Sequence, residues 1–418
     1  MSHLTNRAAF CGFLLVFGFS ACTSSEVAPN ADNWAVYGGN TDNTHYTTLS
    51  QISPENVATL EVAWTFDTGD ASPGSEMQAN PIVIDGILYA TTPKMHVFAL
   101  NAATGAQIWR FDPNNGEPGG SRFRHRGVTV TGDRVIFNYR NRLYALDRAT
   151  GVPIPSFGND GWVDLREGLG RPVEGLSVSA STPGVVFEDL LIIGSSMPES
   201  LPSAPGDIRA YDVMTGALRW SFHTIPHPGE FGYETWPPEA WEIAGGANAW
   251  SGVTIDTKNA ILFAATGSAS YDFYGANRAG DNLFANTVLA LDARTGERIW
   301  HFQGLRHDLW DRDFPSPPSL ITVKRDGKEV DAIAQVTKTG HVFVLERLTG
   351  TPLFPIEEIP MPGPTLPGEW TSPTQPFPVR PPPVARQSLT IDDLTQRTPE
   401  AHASALATFN AYSTEGAW

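Results

Sequence analysis

The chain has 418 residues, of which 17% are charged and 41% hydrophobic, the composition of a folded globular protein. Its formal net charge of −17 argues against a nucleic-acid partner, because phosphate contacts need a basic surface. The 39 glycines and 34 prolines indicate many turns and favour an all-β fold.

The N-terminus has the features of an export signal. An apolar run over residues 8–19 leads through small residues to Cys22, a pattern typical of a secretory signal rather than a transmembrane helix. The residues before Cys22 resemble the lipobox of bacterial lipoproteins, which implies a lipid on Cys22, while ordinary signal cleavage is the alternative. Cys11 lies within the signal, so the mature chain is expected to have no disulfide.

These features predict a domain order and a location. We expect a signal peptide at residues 1–22, a polar tether at 23–33 and a β-rich domain at 34–418. The mature protein is expected to be periplasmic and to reach a bacterial membrane only through its lipid anchor.

The first predicted element after the tether is an outer strand at residues 62–66. A β-hairpin follows, in which residues 82–84 and 87–89 flank Asp85-Gly86. Further hairpin turns are predicted at Gly132-Asp133, Glu188-Asp189, Lys258-Asn259 and Asp326-Gly327.

An eleven-residue pattern recurs five times and follows these hairpins. In each copy an apolar strand end precedes Asp, Asn or Glu, two variable residues and Thr-Gly, which predicts a tight turn and a returning strand. The glycines of the five copies are Gly105, Gly151, Gly216, Gly296 and Gly350. The residues four positions later are Trp109, Pro155, Trp220, Trp300 and Phe354. Two hairpins per repeat predict a four-stranded antiparallel sheet, and repeated sheets of this kind are typical of β-propeller blades.

The clearest copy, residues 290–300, resembles the tryptophan-docking motif of the dehydrogenases that use pyrroloquinoline quinone (PQQ). The resemblance covers residues 34–418 and implies an eight-bladed quinoprotein propeller, in which each tryptophan packs between neighbouring blades. About five to six blades fit in this chain, which becomes Pro-rich after Glu357 and has no recognisable closing strand. We therefore expect a truncated propeller that is inactive alone, because the cofactor site would lack part of its wall.

The resemblance assigns catalytic roles within residues 307–313. Asp311 matches the family's base, which is also a metal ligand, and Lys338 matches the basic residue that holds the quinone oxygen. The chemistry needs both, since alcohol oxidation removes a hydroxyl proton while a hydride leaves the carbon. Asp308 and Asp313 are interpreted as structural residues, and a solvated charged loop is the alternative for the whole segment.

The same resemblance assigns cofactor contacts. Trp250 matches the aromatic floor beneath the flat PQQ ring, and Arg126 matches the arginine that binds PQQ carboxylates. A core tryptophan and a surface arginine are the alternatives. The further predicted PQQ contacts are Gln78, Ser181, Thr182 and Ser196. The methanol dehydrogenases place adjacent cysteines before this arginine, and their absence here favours glucose-dehydrogenase-like members.

The predicted metal is Ca²⁺, held by Glu199, Ser268 and Asp311. Ser268 stands where an asparagine is usual in the family, and a hydroxyl oxygen suits calcium as well. An exposed loop glutamate is the alternative for Glu199.

The resulting functional prediction is oxidation of an alcohol or aldose by hydride transfer to PQQ. No Cys-x-x-Cys-His haem motif occurs in the sequence, so the electrons are expected to pass to a separate quinone or cytochrome. One alternative is a non-catalytic propeller lipoprotein of the outer-membrane assembly type, which binds proteins and has no use for such a site. A propeller that has lost catalysis is another.

Overall fold

The computed structural model describes residues 33–116, 124–172 and 174–412, so Cys22 and the predicted signal lie outside the described residues. Strands predominate, and the predicted all-β fold is confirmed. The first two sheets comprise β1 (Ile82–Ile84), β2 (Ile87–Thr91), β3 (Val97–Asn101) and β4 (Gln107–Phe111), then β5 (Thr129–Thr131), β6 (Arg134–Tyr139), β7 (Arg142–Asp147) and β8 (Trp162–Asp164). The next two comprise β9 (Val185–Phe187), β10 (Leu190–Ile193), β11 (Ile208–Asp212) and β12 (Leu218–Phe222), then β13 (Val253–Asp256), β14 (Ile261–Ala265), β15 (Thr287–Asp292) and β16 (Arg298–Gln303).

Two smaller sheets follow along the chain. They comprise β17 (Ser319–Arg325), β18 (Lys328–Val336) and β19 (Val342–Glu346), then β20 (Ile356–Pro360) and β21 (Thr374–Pro378). The last pair lies in the Pro-rich region, where no strand was expected, and prolines fit there because β21 is paired on one side only. The α-helices are α1 (Ala240–Ile243) and α2 (Pro399–Ala411), and the latter begins after Thr398, whose side chain accepts a hydrogen bond from Ala401 N.

Each sheet is antiparallel, and the first hairpin of each of the first five sheets turns where the sequence predicts. In the first sheet Ile84 pairs with Ile87 across Asp85-Gly86, and both turn residues have the positive φ that a tight hairpin requires. Within the described residues, no helix has the length and apolar character needed to cross a membrane.

The four largest hydrophobic cores lie between consecutive sheets. The first core joins β1–β4 to β5–β8, the next joins β5–β8 to β9–β12, and the following ones continue to β13–β16 and β17–β19. The first strands of consecutive sheets contact one another, in the order β5, β9, β13 and β17. The sheets therefore stack side by side around a common axis, which their first strands surround.

The tryptophans of the repeat connect one sheet to the next. Trp220 in β12 donates from Nε1 to the carbonyl oxygen of Ala293 at 3.2 Å, and its ring covers Gly296 in the following sheet. The same arrangement joins Trp109 to Gly151, Trp300 to Gly350 and Trp64 to Gly105. A Cβ on any of these glycines would lie within 2.6 Å of an indole carbon. The repeat is therefore the contact that sets the spacing of the sheets.

Two local features differ from the simple pattern. Gly216 packs against Val163 and Phe157 instead of an indole, because Pro155 takes the place of the tryptophan in the preceding sheet. The predicted strand at residues 62–66 was wrong: the segment forms no strand ladder in the structure, although Trp64 docks as the repeat requires.

A segment near the start of the described chain lies along the axis. Trp34 exchanges two backbone hydrogen bonds with Val83 in β1, and Ile255 N in β13 donates to Thr41 O. Leu320 N in β17 donates to Asp42 O at 2.9 Å, and Asn43 Nδ2 donates to Pro317 O. We call residues 34–43 the axial segment. It ties the first sheet to the fourth and fifth and lies against the first strands of the sheets between them.

The packing of indole on glycine gives a prediction about stability. Gly296→Ala forces φ +74 on a residue with a side chain and places the new Cβ 2.5 Å from Trp220. Gly327→Ala is the matched control, because its φ is +77 and nothing lies within 4 Å. We expect the control to cost about 1–2 kcal/mol of unfolding free energy and Gly296→Ala to cost about 1–3 kcal/mol more. Equal losses in urea unfolding would contradict the packing role.

Candidate functional site

A cavity of about 830 Å³ contains nearly all of the predicted site residues. It is lined by segments that precede or connect the strands around the axis. The predicted residues that line it are Gln78, Arg126, Ser181, Ser196, Glu199, Trp250, Ser268, Asp311 and Lys338. These residues are separated by up to 260 positions of sequence (338 minus 78) and come together because the sheets surround one axis.

Trp250 forms an aromatic surface with two cations close to its ring. The guanidinium carbon of Arg126 lies 5.1 Å from the ring centroid, and Nζ of Lys338 lies 5.9 Å from it. Burial lowers the pKa of Arg126, and among the described residues no carboxylate pairs with it. This end of the cavity therefore combines a flat apolar face with positive charge.

Asp313 holds these groups together, a role that the sequence analysis did not assign to it. Its Oδ2 accepts from Trp250 Nε1 at 2.9 Å and from Lys338 Nζ at 3.0 Å, and its Oδ1 accepts from Ser268 N at 2.6 Å. The approach is possible because residue 267 is glycine: a Cβ there would lie 2.5 Å from Asp313 Oδ1. The spacing of two from Asp311 was the available signal, since alternate residues of an extended chain share a face.

Asp311 faces the cavity from a constrained backbone position. Its φ is +52, which is unfavourable for a residue with a side chain, and its Oδ1 accepts from Lys338 Nζ at 2.7 Å. Burial raises the pKa of Asp311, the hydrogen bond from Lys338 opposes that shift, and the charge of Asp313 adds to it. Burial acts to lower the pKa of Lys338, but its two carboxylate partners outweigh burial and raise it.

Asp308 fixes the conformation of the segment that carries Asp311. Its Oδ1 accepts from Trp310 N at 2.9 Å, and its Oδ2 accepts from Arg312 N and from the hydroxyl of Ser268. Asp308 is buried, as expected of a structural residue. Ser268 lines the cavity as predicted, but its hydroxyl is engaged with Asp308.

Asp272 and Glu199 form another pair of carboxyl groups in the same cavity. Asp272 is 7% exposed, lines the cavity and forms a side-chain hydrogen bond with Glu199. Burial, then the negative charges of Glu199, Asp311 and Asp313, raise the pKa of Asp272 to about 7. The sequence gave no sign of this residue, which lies between Tyr271 and Phe273 in a loop.

The carboxylates supply oxygen donors of the kind that bind hard cations such as Ca²⁺. Within the residues that the structure describes, however, no three His, Cys, Asp or Glu side chains are grouped tightly enough to form a complete metal site.

The remaining predicted contacts support the tryptophan or lie beside it. The hydroxyls of Ser181 and Thr182 both donate to Trp250 O, at 3.0 and 2.8 Å. Thr182 is buried behind the cavity lining and also accepts from Arg126. Ser196 pairs through its backbone with Ser179, and exposed Gln78 donates to Glu76.

Two further arginines line the cavity. Arg124 forms an ion pair of 3.3 Å with Glu76, and both side chains are about half exposed or more, at 67% and 48%. Arg140 lies at the β6–β7 turn and is exposed. The cavity thus has a basic region around the arginines and an acidic region around Asp272.

Comparisons with known proteins agree with this geometry. Residues 34–418 match the family described as "PQQ: Glucose/ethanol/alcohol dehydrogenase, beta-propeller domain". The chain is 33% identical over 402 residues to quinate/shikimate dehydrogenase (quinone) of Acinetobacter baylyi, with 88% of this chain and 49% of that protein aligned. It is 34% identical over 384 residues to quinoprotein glucose dehydrogenase A of Acinetobacter calcoaceticus, with 82% and 47% aligned.

The fold is also similar to solved structures. Quinohemoprotein alcohol dehydrogenase from Comamonas testosteroni superposes with a TM-score of 0.67 at 27% identity, covering 83% of this chain and 52% of that one. The chain thus spans about half the length of the relatives that it matches.

The raised pKa of Asp272 predicts a pH-dependent stability. An acid whose folded pKa is about 7 binds protons more tightly when folded, so the metal-free protein loses stability as pH rises from about 4 to 7. Asp272→Asn removes the buried charge and should stabilise the metal-free protein at pH 8 by about 1–2 kcal/mol, a value reduced from the full shift for solvent screening. Urea unfolding at pH 8 and below pH 4 measures this. An equal gain at both pH values would contradict the assignment.

Proposed function

Because the chain belongs to the PQQ-dependent glucose/ethanol/alcohol dehydrogenase family of β-propellers, we propose that it oxidises an alcohol or aldose with PQQ and Ca²⁺. One observation carries the proposal: Arg126 and Lys338 lie within 6 Å of the Trp250 ring, and Lys338 also holds Asp311. The cavity can therefore bind a flat anionic electron acceptor, and it places Asp311 beside that acceptor as a base.

The cavity fits PQQ in size, shape and charge. Its volume lies within the range usual for small-molecule sites, and an indole gives the largest aromatic platform among side chains. PQQ carries three carboxylates, and Arg126 offers a guanidinium without an acidic partner among the described residues. Ser181 and Thr182 would fix the height of the platform through Trp250 O.

When bound, PQQ supplies the electrophilic centre that accepts a hydride from the substrate carbon. Asp311 acts as the base that takes the substrate hydroxyl proton on a carboxylate oxygen. Lys338 orients Asp311 and provides positive charge beside the ring face. Asp313 accepts hydrogen bonds from both Lys338 and Trp250 and so fixes their positions relative to each other.

Calcium is proposed to lie among the acidic side chains of the cavity. Glu199 and Asp311 would supply carboxylate oxygens and Ser268 a hydroxyl or backbone oxygen, while cofactor oxygens would complete the set. Asp272 adds a carboxylate that the sequence did not reveal. The unfavourable charge density of this region in the metal-free protein supports a cation there.

The whole protein's partners are also proposals. Its relatives include dehydrogenases of quinate or shikimate, glucose and glycerol, which supports a polyhydroxy substrate. We propose a quinone or cytochrome as the electron acceptor and a periplasmic location with a lipid anchor at Cys22. Residues 34–418 would form the propeller domain, with the signal and tether before it.

The convergence of the site favours an enzyme over a protein-binding scaffold. A scaffold of the same fold has no requirement that Trp250, Arg126, Glu199, Asp311 and Lys338 line one cavity, and these five residues come from distant parts of the chain.

The base assignment predicts a large loss of turnover. In the full-length protein reconstituted with PQQ and Ca²⁺, we expect Asp311→Asn to lower dye reduction with alcohols or aldoses by about 100-fold or more, because general-base catalysis is worth that much. PQQ affinity should be nearly unchanged. Asp326→Asn, at an exposed turn, is the control. Near-normal turnover by Asp311→Asn would exclude it as the base.

The metal assignment predicts a shift in calcium dependence. After removal of metal with a chelator, Glu199→Gln should need about 10- to 100-fold more Ca²⁺ than wild type for half-maximal activity, the usual effect of weakening a metal's ligand shell. Glu297→Gln, on an exposed turn outside the cavity, should match wild type. An unchanged midpoint in Glu199→Gln would remove this residue from the metal site.

A further inference from the structure

The charges of the cavity leave one cation unused by the proposed chemistry. Lys338 is paired with Asp311 and Asp313, and Arg124 with Glu76. Arg126 faces Trp250 and is assigned to the cofactor. Arg140 also lines the cavity, yet no carboxylate of the described residues lies within ion-pair distance of it.

Arg140 is held in place by the structure around it. It occupies the β6–β7 turn with φ +53, the left-handed conformation that a tight hairpin turn requires. Its carbonyl oxygen accepts from Asn138 Nδ2 at 2.8 Å, and its guanidinium lies 5.2 Å from the Tyr139 ring. The main chain and side chain are thus both restrained.

The turn is coupled directly to the cofactor platform. Asn138 is buried, and its Oδ1 accepts from Ala180 N at 2.8 Å. The next residue, Ser181, donates to Trp250 O. Arg140 is therefore fixed relative to Trp250 through three hydrogen bonds and one peptide unit, while its side chain remains exposed where it lines the cavity.

We propose that Arg140 is a carboxylate-binding residue of this cavity and that the substrate is a hydroxy acid. The proposal rests on the proposed PQQ-dependent oxidation. A guanidinium recognises a carboxylate through two parallel hydrogen bonds, and it does so most strongly where no internal acid competes. Two ligands carry carboxylates here, the cofactor and an acidic substrate. Arg126 is half-buried beside the platform, whereas Arg140 is exposed and so accessible to a ligand that arrives from solvent.

The test compares substrates that differ only in the carboxylate. Glycerate and glycerol form one pair, and gluconate and sorbitol a second, since in each the acid replaces a terminal CH₂OH with a carboxylate. Wild type, Arg140→Gln, Arg140→Lys and the control Arg142→Gln are compared. Arg142 belongs to the same hairpin but faces Trp162 and does not line the cavity. The readouts are KM by dye reduction and PQQ affinity by quenching of tryptophan fluorescence.

The expected result is a KM for the acids that rises about 10- to 100-fold in Arg140→Gln, the range for a charge-assisted hydrogen-bonded pair, with KM for the neutral partners and PQQ affinity unchanged. Arg140→Lys should fall between, because it keeps the charge and loses the two-pronged geometry. If Arg140→Gln instead weakens PQQ binding by the same factor and affects acid and neutral substrates equally, Arg140 binds a carboxylate of the cofactor. That result would overturn its assignment to the substrate.

Unchanged KM and PQQ affinity in Arg140→Gln would overturn the proposal. Full-length wild-type protein that neither binds PQQ nor reduces dye would instead contradict the proposed function. In that case titration with benzene-1,3,5-tricarboxylate, an aromatic acid without a quinone, tests Arg140 alone: weaker binding by Arg140→Gln supports the proposal, and equal binding overturns it.

Discussion

The packing of an indole from one sheet on a glycine of the next is the contact on which the rest of the structure depends. It fixes both the distance and the angle between neighbours, because the ring lies flat on a backbone without a Cβ and its N–H bonds a carbonyl of the same turn. Since the contact repeats, the first strands converge on an axis and their connecting loops meet at one end. The cavity exists because of this convergence, and no single sheet could form it.

Within the cavity, several basic and acidic side chains lie in separate regions instead of forming ion pairs with one another. Arg126 and Arg140 have no acid beside them among the described residues, whereas Asp272 and Glu199 face each other without a cation. Such an arrangement costs stability in the empty protein, because burial penalises unpaired charge. A ligand with carboxylates would neutralise the basic region of the cavity, and a divalent cation would neutralise the acidic region. Cofactor binding and metal binding are therefore expected to reinforce one another.

Much of the fold and part of the site could be predicted from the sequence, for different reasons. The Thr-Gly turns and their tryptophans are local patterns, so the meanders followed from them. Trp250, Arg126, Asp311 and Lys338 were found through a family resemblance, and the structure brings them together. Asp272 and Arg140 could not be found, since a carboxylate or guanidinium in a loop looks the same in sequence whether it faces solvent or a cavity. The role of Asp313 was missed because its partners, Trp250 and Lys338, are 63 and 25 positions away.

The axial segment has a consequence for the order of assembly. Asn43 bonds Pro317 and Ser319, which lie 274 and 276 positions later in the chain. During synthesis this segment emerges early, yet its partners are made only after four sheets have been completed. Closing so long a loop is slow compared with forming hairpins. Neighbouring sheets can therefore form locally, pair by pair, whereas the contacts of the axial segment with the fifth sheet can form only late, although the segment itself is among the first parts to be synthesised.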